Sequence, residues 1–248
     1  MAKCIFCLTT EETVFNTKEH IIPESLGSGD WAILREGLFC DKCQNIFGSS
    51  IEQQALGVYP LSNFRTIFGV PTKKGKAPWF SYWEGKLISG GESGKLIYEP
   101  TDFFKEAFES GRKTLTIIPA MPDKSDMVLR TLLKIGLETF AADVETGEEI
   151  YSSKFDAARK YALMGQKENK WFYIQNEDIK QLNYYLKGIT EKEWCENFFC
   201  DVHEEGELVY LHLKLLYLDF ITPLNDNVQI DEKIISTFKE PECRVVWV

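Results

Sequence analysis

The 248-residue sequence predicts an α+β protein in which a small N-terminal module is followed by a larger mixed body. Three observations support this class: one long stretch has helical spacing of its apolar residues, several short stretches resemble strands, and two close pairs of cysteines stand near the N-terminus. With 44% apolar and 13% aromatic residues, the chain can bury a sizeable core, which excludes a mostly disordered protein. We expect the module over residues 1–75 and the body over residues 76–248, with Lys73, Lys74 and Lys76 in an exposed linker.

Within the module, the sequence predicts two short strands and one helix. β-Branched and aromatic residues predict a strand over residues 13–22, which Pro23 ends, and a second strand within residues 31–39. After the second cysteine pair, apolar residues recur at every fourth position and predict a helix with one buried face: Cys43, Phe47, Ile51 and Ala55. Alternatively, Ser49 and Glu52 have the spacing of a capping box that starts a later helix.

The body contains both helical and strand-like stretches. The longest helical pattern covers residues 126–142, and shorter patterns cover residues 155–164 and 178–186. Strands are expected at residues 79–98 as a hairpin, and at residues 114–118, 207–222 and 244–248. These patterns predict an α+β arrangement and contain no catalytic motif.

The charge distribution restricts where a polyanion can bind. Lysine and arginine total 28 against 38 aspartate and glutamate, a formal charge of −10, so the molecule as a whole does not attract nucleic acid. Residues 76–248 carry a net charge of −9, whereas residues 1–75 carry only −1. A phosphate-binding surface is therefore expected beside the module, where several basic side chains are available: Lys18, Arg35, Lys42, Lys73, Lys74 and Lys76.

The sequence predicts neither a secretory signal nor a membrane span. The N-terminus lacks the apolar core of a signal peptide, and the longest apolar stretch, residues 208–221, is interrupted by His212, Lys214 and Asp219. We therefore expect a cytoplasmic protein without a membrane partner. In that reducing compartment, the seven cysteines are expected as metal ligands or buried apolar groups rather than as disulfides.

The spacing of four cysteines favours a metal site. Cys4 and Cys7 form one C-x-x-C pair, and Cys40 and Cys43 form a second. Two residues between thiolates let one tight turn present both sulfurs to a zinc ion at about 2.3 Å, and two such turns complete a tetrahedron. Four buried or free cysteines, or a redox pair, are the alternative interpretations. The series Cys195, Cys200 and His203 has three further potential ligands but no convincing fourth.

The most specific pattern is a fixed order of motifs. A C-x-x-C pair is followed by Glu19-His20-Ile21-Ile22-Pro23, then by the second C-x-x-C pair, and then by Gln44 and Asn45. This order, over about residues 4–56, resembles the zinc-stapled HNH endonucleases, which have a ββα-metal core. The resemblance implies that His20 is the general base and Glu19 a ligand of a catalytic Mg²⁺ or Mn²⁺. It further implies that Gln44 or Asn45 supplies the amide ligand, and that the four cysteines hold a separate structural zinc.

These residue types suit phosphodiester hydrolysis, because an imidazole exchanges protons near neutral pH and hard oxygen ligands suit Mg²⁺. Each also has a purely structural interpretation. His20 is alternatively a partly exposed strand residue, Glu19 a solvated carboxylate and Asn45 a helix cap. We interpret Glu52 as a capping or surface residue and place it outside the site.

Two functions are therefore considered. The first is a metal-dependent endonuclease that cleaves DNA, with RNA as the alternative substrate, and the resemblance favours a setting in bacterial or phage defence. The second is a catalytically inactive zinc-knuckle module that binds nucleic acid or a protein. It is suggested by Gln44, where family members commonly have Asn, His or Asp, and by the lack of an asparagine between His20 and Cys40. A homo-oligomer or a regulatory protein partner is compatible with either function.

Overall fold

The described residues form helices and two antiparallel sheets, which confirms the α+β class. A computed structural model describes residues 2–82, 85–111, 124–143, 147–166, 170–225 and 243–248. The strand expected at residues 114–118 lies outside these ranges. Within them, no helix combines the length and the apolar character that a membrane span requires.

The N-terminal module contains less strand structure than its sequence predicts. His20 and Ile33 form an isolated antiparallel bridge, flanked by two backbone hydrogen bonds of 2.7 and 2.9 Å. The prediction of two strands is wrong over most of their length, because short 3-10 helices at Glu12–Val14 and Asp30–Ala32 overlap their starts. A third 3-10 helix, Glu24–Leu26, lies between them. One cause lies within the first predicted strand, where the backbone amides of Asn16 and Thr17 donate to the Asp41 carboxylate rather than to a neighbouring strand.

The helix predicted after the second cysteine pair is confirmed. Helix α1 (Asp41–Ile46) continues directly into a π-helical segment (Phe47–Glu52) and a last α-helical turn (Gln53–Ala55). The predicted apolar face is at most 1% exposed at each of its four positions: Cys43, Phe47, Ile51 and Ala55. The alternative helix start at Ser49 is wrong, since the helix passes through this residue without a break.

A three-stranded antiparallel sheet follows helix α2 (Leu61–Phe68). Its strands, in spatial as in chain order, are β1 (Trp79–Tyr82), β2 (Gly85–Ser89) and β3 (Leu96–Pro100). The hairpin predicted over residues 79–98 is thus confirmed, and the structure has three strands there rather than two. The sheet packs against α2, and helix α3 (Asp102–Glu109) comes after it.

The long helix α4 (Ser125–Ala142) confirms the pattern at residues 126–142 and is buried along most of its length. It packs against α5 (Asp156–Met164), which confirms the shorter pattern at residues 155–164. A five-stranded antiparallel sheet packs against the other side of α4. Its strands lie in the order β5 (Phe198–Glu205), β6 (Leu208–Leu215), β7 (Leu218–Pro223), β4 (Phe172–Glu177) and β8 (Cys243–Trp247).

Two helices connect β4 to β5: α6 (Ile179–Tyr185), as predicted, and α7 (Glu191–Glu196). The stretch predicted as strand over residues 207–222 is the hairpin of β6 and β7, which turns at Leu216 with φ of +57°. Along β6, every second side chain is buried towards α4, whereas Tyr210, His212 and Lys214 lie on the opposite, partly exposed face. This alternation is typical of a sheet with one face in the core.

One hydrophobic cluster contains residues from both predicted parts of the chain. Phe39 and Phe47 belong to the same buried cluster as Leu132 and Leu133 of α4. The π-helical segment contacts α4 directly. Helix α4 therefore lies where its side chains can reach the segment that carries Glu19.

Candidate functional site

The four cysteines of the two C-x-x-C pairs converge in the structure. Their sulfur atoms all lie within 4.8 Å of one another, and the Sγ atoms of Cys7 and Cys40 are 3.6 Å apart. A tetrahedral zinc with four Zn–S bonds of about 2.3 Å needs sulfurs separated by about 3.8 Å, so the donor set fits this ion. Cys4, Cys40 and Cys43 are buried and Cys7 is exposed. The predicted convergence of these four residues is confirmed.

The protonation of these thiols indicates why a cation belongs among them. A hydrogen bond with Cys43 lowers the pKa of Cys4 to about 5. The same hydrogen bond, together with burial, raises the pKa of Cys43, and burial raises the pKa of Cys40 to about 11. Without a cation, a second thiolate at Cys40 or Cys43 would be buried beside an existing negative charge. A bound Zn²⁺ would remove that penalty and stabilise all four thiolates.

Backbone hydrogen bonds and aromatic packing hold the cysteine loops together. Cys4 N donates to Thr9 O over 2.9 Å, and Leu8, with φ of +60°, closes the first C-x-x-C turn. Phe6, at the tip of that turn, contacts the rings of Phe39 and Phe47, with centroids 5.3 and 4.7 Å away. The cluster is therefore joined to the hydrophobic core below it.

Asp41 connects the start of α1 to the segment before the motif. Its carboxylate accepts hydrogen bonds from the backbone amides of Asn16 and Thr17, both over 3.0 Å, and from the Thr17 hydroxyl over 2.7 Å. The hydrogen bonds from Thr17 and Asn16 lower the pKa of Asp41, so the carboxylate remains ionised. This contact fixes the chain shortly before Glu19 and His20.

A cavity of about 270 Å³ brings the predicted catalytic residues together. Glu19, His20, Gln44 and Asn45 all line it, and so does Glu52. Lys18 and Lys73 also line it, whereas Arg35 lies beside a larger cavity of about 720 Å³ near the N-terminus, which contains none of the motif residues. We interpret the smaller cavity as the candidate site, because the chemically relevant groups converge there.

His20 is partly buried at the edge of this cavity. Its Nε2 atom is 3.5 Å from Glu24 Oε1, and its buried Nδ1 atom has no hydrogen-bond partner among the described residues. The backbone of His20 is fixed independently of the ring, through the bridge to Ile33 and through its carbonyl oxygen, which accepts a hydrogen bond from Lys134. The position of His20 is therefore fixed by its backbone, while its imidazole ring makes no strong hydrogen bond or ion pair with another described side chain.

Glu19 is not the solvated carboxylate of the structural interpretation. It is 9% exposed, and its Oε1 atom lies 2.6 Å from Nζ of Lys134, a fully buried residue of α4. The interpretation of Glu52 as a capping or surface residue is also wrong, since Glu52 is 8% exposed and its Oε1 atom lies 2.9 Å from the same ammonium. A third carboxylate, that of Glu138, lies 3.2 Å from Lys134.

The charge states within this group differ from those of exposed side chains. Burial disfavours the charged form of Lys134, but the carboxylates of Glu138, Glu52 and Glu19 outweigh it and raise the pKa well above its usual value. Burial raises the pKa of Glu138 well above its usual value despite the nearby lysine. Burial therefore favours the neutral form of Glu138, whereas the surrounding carboxylates favour the charged form of Lys134.

Gln44 and Asn45 directly follow Cys43 within helix α1. Gln44 Nε2 donates to the backbone carbonyl of Lys18 over 2.8 Å, which leaves the Gln44 side-chain oxygen as a potential ligand. Asn45 has an exposed side chain that lines the cavity. The helix-cap interpretation of Asn45 is wrong, since α1 begins at Asp41 with Cys40 as its N-cap residue.

The structure separates the other potential ligands. Cys200 is directed into the interior, where its Sγ atom lies 2.9 Å from the Thr139 hydroxyl, whereas His203 stacks on Tyr210 on the opposite face of the sheet. Among the described residues, the four N-terminal cysteines form the one group of metal-ligating side chains close enough to share an ion. A second zinc site built from Cys195, Cys200 and His203 is therefore not supported.

Sequence reasoning missed Lys134 and Glu138. Both lie more than 100 residues from Glu19 and His20, and no local pattern connects them to these residues. One signal was present: a lysine and a glutamate four positions apart interrupt the apolar face of the 126–142 helix, where a charged pair is expected to be buried only with partners.

Comparison with known proteins agrees with the motif. Residues 4–57 match the family model of the HNH endonucleases, which confirms the resemblance inferred from the sequence. The matched segment includes the four clustered cysteines and Glu19, His20, Gln44 and Asn45, and it ends before β1. No curated protein and no solved structure matched the chain.

Proposed function

We propose that the protein is a metal-dependent HNH endonuclease that hydrolyses phosphodiester bonds in DNA. The observation that carries this proposal is the cavity that joins His20 to the oxygen-bearing side chains of Glu19, Gln44 and Asn45. The cavity lies in the segment that matches the HNH endonuclease family, beside a cluster suited to structural zinc. In this proposal, residues 1–75 form the nuclease module and residues 76–248 support it.

His20 is proposed as the general base. It takes a proton from a water molecule whose oxygen attacks the phosphorus, and the bond from phosphorus to the leaving oxygen then breaks. Because Nδ1 is buried, Nε2 is the nitrogen proposed to accept this proton, and its 3.5 Å contact with Glu24 is too long for a strong hydrogen bond.

The cavity also suits a hard divalent cation. Glu19 retains its second carboxylate oxygen, Gln44 its amide oxygen and Asn45 an exposed amide, and such oxygen donors are typical of Mg²⁺ and Mn²⁺ sites. These three residues would hold the ion. When bound, Mg²⁺ or Mn²⁺ would neutralise negative charge on the scissile phosphate and the leaving oxygen.

The test of this function is cleavage by the purified protein. Supercoiled and linear DNA, and RNA of matching sequence, are incubated with Mg²⁺, Mn²⁺ or EDTA. We expect cleavage of DNA that requires the divalent ion; cleavage of RNA alone would identify RNA as the substrate instead. Absence of phosphodiesterase activity under all of these conditions would contradict the proposal and favour the inactive zinc-knuckle module. That module is expected to bind nucleic acid or a protein without added Mg²⁺ or Mn²⁺.

Nucleic acid is expected to dock on the module with few ionic contacts. Lys18 and Lys73 line the cavity, and Lys42 and Lys74 are exposed and close to the motif in sequence. Most of the aspartate and glutamate residues lie in residues 76–248. Because each neutralised phosphate contributes about 0.9 to the slope of log affinity against log salt, about four contacts predict a slope of about −4. The measurement is a salt titration of DNA binding by His20→Ala with Mn²⁺ present.

A steeper slope would contradict this charge distribution. Tight binding by a monomer with a slope of about −8 would require some nine phosphate contacts, which the basic side chains of the module do not supply. Tight binding that appears only in an oligomer, or with a basic protein partner, would instead show that several sites share one duplex.

We also propose a cytoplasmic setting in bacterial or phage defence. Reduced cysteines, as the zinc cluster requires, persist in a reducing compartment. Cells that express the wild-type protein are expected to lower phage yield relative to cells that express His20→Ala at equal abundance. Equal phage yields from the two strains would exclude a role in phage defence but would not bear on the proposed nuclease activity.

A further inference from the structure

A single buried ammonium joins the motif to the long helix. Nζ of Lys134 lies 2.6 Å from Glu19 Oε1, 2.9 Å from Glu52 Oε1 and 3.2 Å from Glu138 Oε2. It also donates a hydrogen bond of 3.1 Å to the backbone carbonyl of His20. The side chain of Lys134 is completely buried, so these four oxygens are its polar surroundings within the described part of the chain.

Lys134 contacts both residues of the adjacent Glu19–His20 pair. Successive residues of an extended chain point to opposite sides, so Glu19 and His20 do not share a direction without an external constraint. Lys134 binds the side chain of Glu19 and the backbone of His20 simultaneously. One oxygen of Glu19 is thereby held, and the rotation of its carboxylate is restricted.

We propose that Lys134 is a positioning residue of the nuclease site, which orients the Glu19 carboxylate for a divalent cation and fixes the backbone of His20. This inference rests on the function proposed above. Lys134 lies outside the segment that matches the family and reaches the site from α4. The C-terminal body accordingly supplies a contact that orients the motif, although none of its described residues lines the cavity itself.

A purely structural role for Lys134 is the alternative, and the variants are chosen to separate the two. Lys134→Met alone leaves buried carboxylates without a partner and is expected to be unstable. The double variant Lys134→Met, Glu138→Leu removes the fully buried pair and replaces it with apolar groups of similar volume, which proteins commonly tolerate. Glu19 and Glu52 remain; both line the cavity, and they are 9% and 8% exposed.

Arg159→Met is the matched control for lost stability. Arg159 is also a buried cation, and it donates to the backbone carbonyls of Ile150 and Ser152. It does not line the cavity that holds His20. This substitution is expected to lower thermal stability while leaving the metal dependence and the turnover of the folded protein unchanged.

The experiment measures kcat, KM for DNA and the half-saturating Mn²⁺ concentration in zinc-loaded, full-length protein. Mn²⁺ affinity is measured separately by electron paramagnetic resonance, which does not require cleavage. In the double variant, we expect kcat to fall and the half-saturating Mn²⁺ concentration to rise, each by about 10- to 100-fold, as is usual when a residue that orients a metal ligand is lost. KM for DNA is expected to remain unchanged, and excess Mn²⁺ should restore part of the lost rate.

The outcomes distinguish this inference from the function on which it rests. Wild-type Mn²⁺ affinity that is retained in the folded double variant would overturn the positioning role, whatever the activity. A wild-type protein that binds Mn²⁺ at the cavity but does not cleave would refute the nuclease function, and weaker binding in the double variant would still support Lys134 as the residue that orients Glu19. Absence of Mn²⁺ binding in the wild type would overturn the inference.

Discussion

Replacing His20 with alanine is expected to lower the rate of DNA cleavage by about 10²- to 10⁴-fold, which is the usual contribution of a general base. The fold and the zinc content are expected to persist. The two backbone contacts of His20, its bridge to Ile33 and its hydrogen bond from Lys134, do not involve the imidazole. The measurement is single-turnover cleavage at saturating Mn²⁺, with zinc content and circular dichroism recorded on the same samples.

His203→Ala is the matched control for this substitution. His203 lies on β5 and stacks on Tyr210, on the face of the sheet that points away from α4. Its loss is expected to leave cleavage within about twofold of the wild type, so a general effect of histidine removal or a contaminating nuclease can be recognised. Undiminished cleavage by folded His20→Ala would exclude the general-base role.

Removal of the structural zinc is expected to have the largest effect on stability. Elemental analysis should find about one zinc per chain, and Cys40→Ser should release the metal. Structural zinc contributes folding free energy on the order of 10 kcal/mol in small zinc peptides. Because Cys4, Cys40 and Cys43 belong to the hydrophobic cluster that also contains α4, we expect the loss to lower the melting temperature of the whole chain.

The control for this experiment is Cys195→Ser. Cys195 is exposed on α7 and lies outside the cluster of metal-ligating cysteines, so its replacement should preserve both zinc content and melting temperature. Strong chelators should reproduce the effect of Cys40→Ser in the wild-type protein. Stoichiometric zinc in a variant without all four N-terminal cysteines would refute the assignment.

The parts of the site that sequence could predict depend on short-range spacing. Two residues between cysteines already specify a turn that presents both sulfurs, and the four-residue recurrence from Cys43 to Ala55 already specifies one face of a helix. The structure confirms both features. The long helix over residues 126–142 was predictable for the same reason, since its wide apolar face is encoded in one continuous stretch.

Features that depend on distant residues could not be predicted in this way. The two strands expected around Glu19 pair only at the His20–Ile33 bridge, because the Asp41 carboxylate binds backbone amides of a segment that β-propensity alone assigns to a strand. Glu52 was assigned to the surface, yet its burial depends on a lysine that the chain supplies 82 positions later. The pairing of Lys134 with three carboxylates is a property of the packed molecule, and only the unusual charge within an apolar helix face indicated it.

The most direct measurement is an anomalous-scattering map of the zinc-loaded crystal soaked in Mn²⁺, with data collected on both sides of the manganese and zinc edges. We expect zinc at the four cysteines and a separate manganese in the cavity beside His20, with Glu19 and at least one of Gln44 and Asn45 among its ligands. A cavity without manganese at concentrations that support cleavage, or manganese bound only at the cysteines, would contradict the proposed active site.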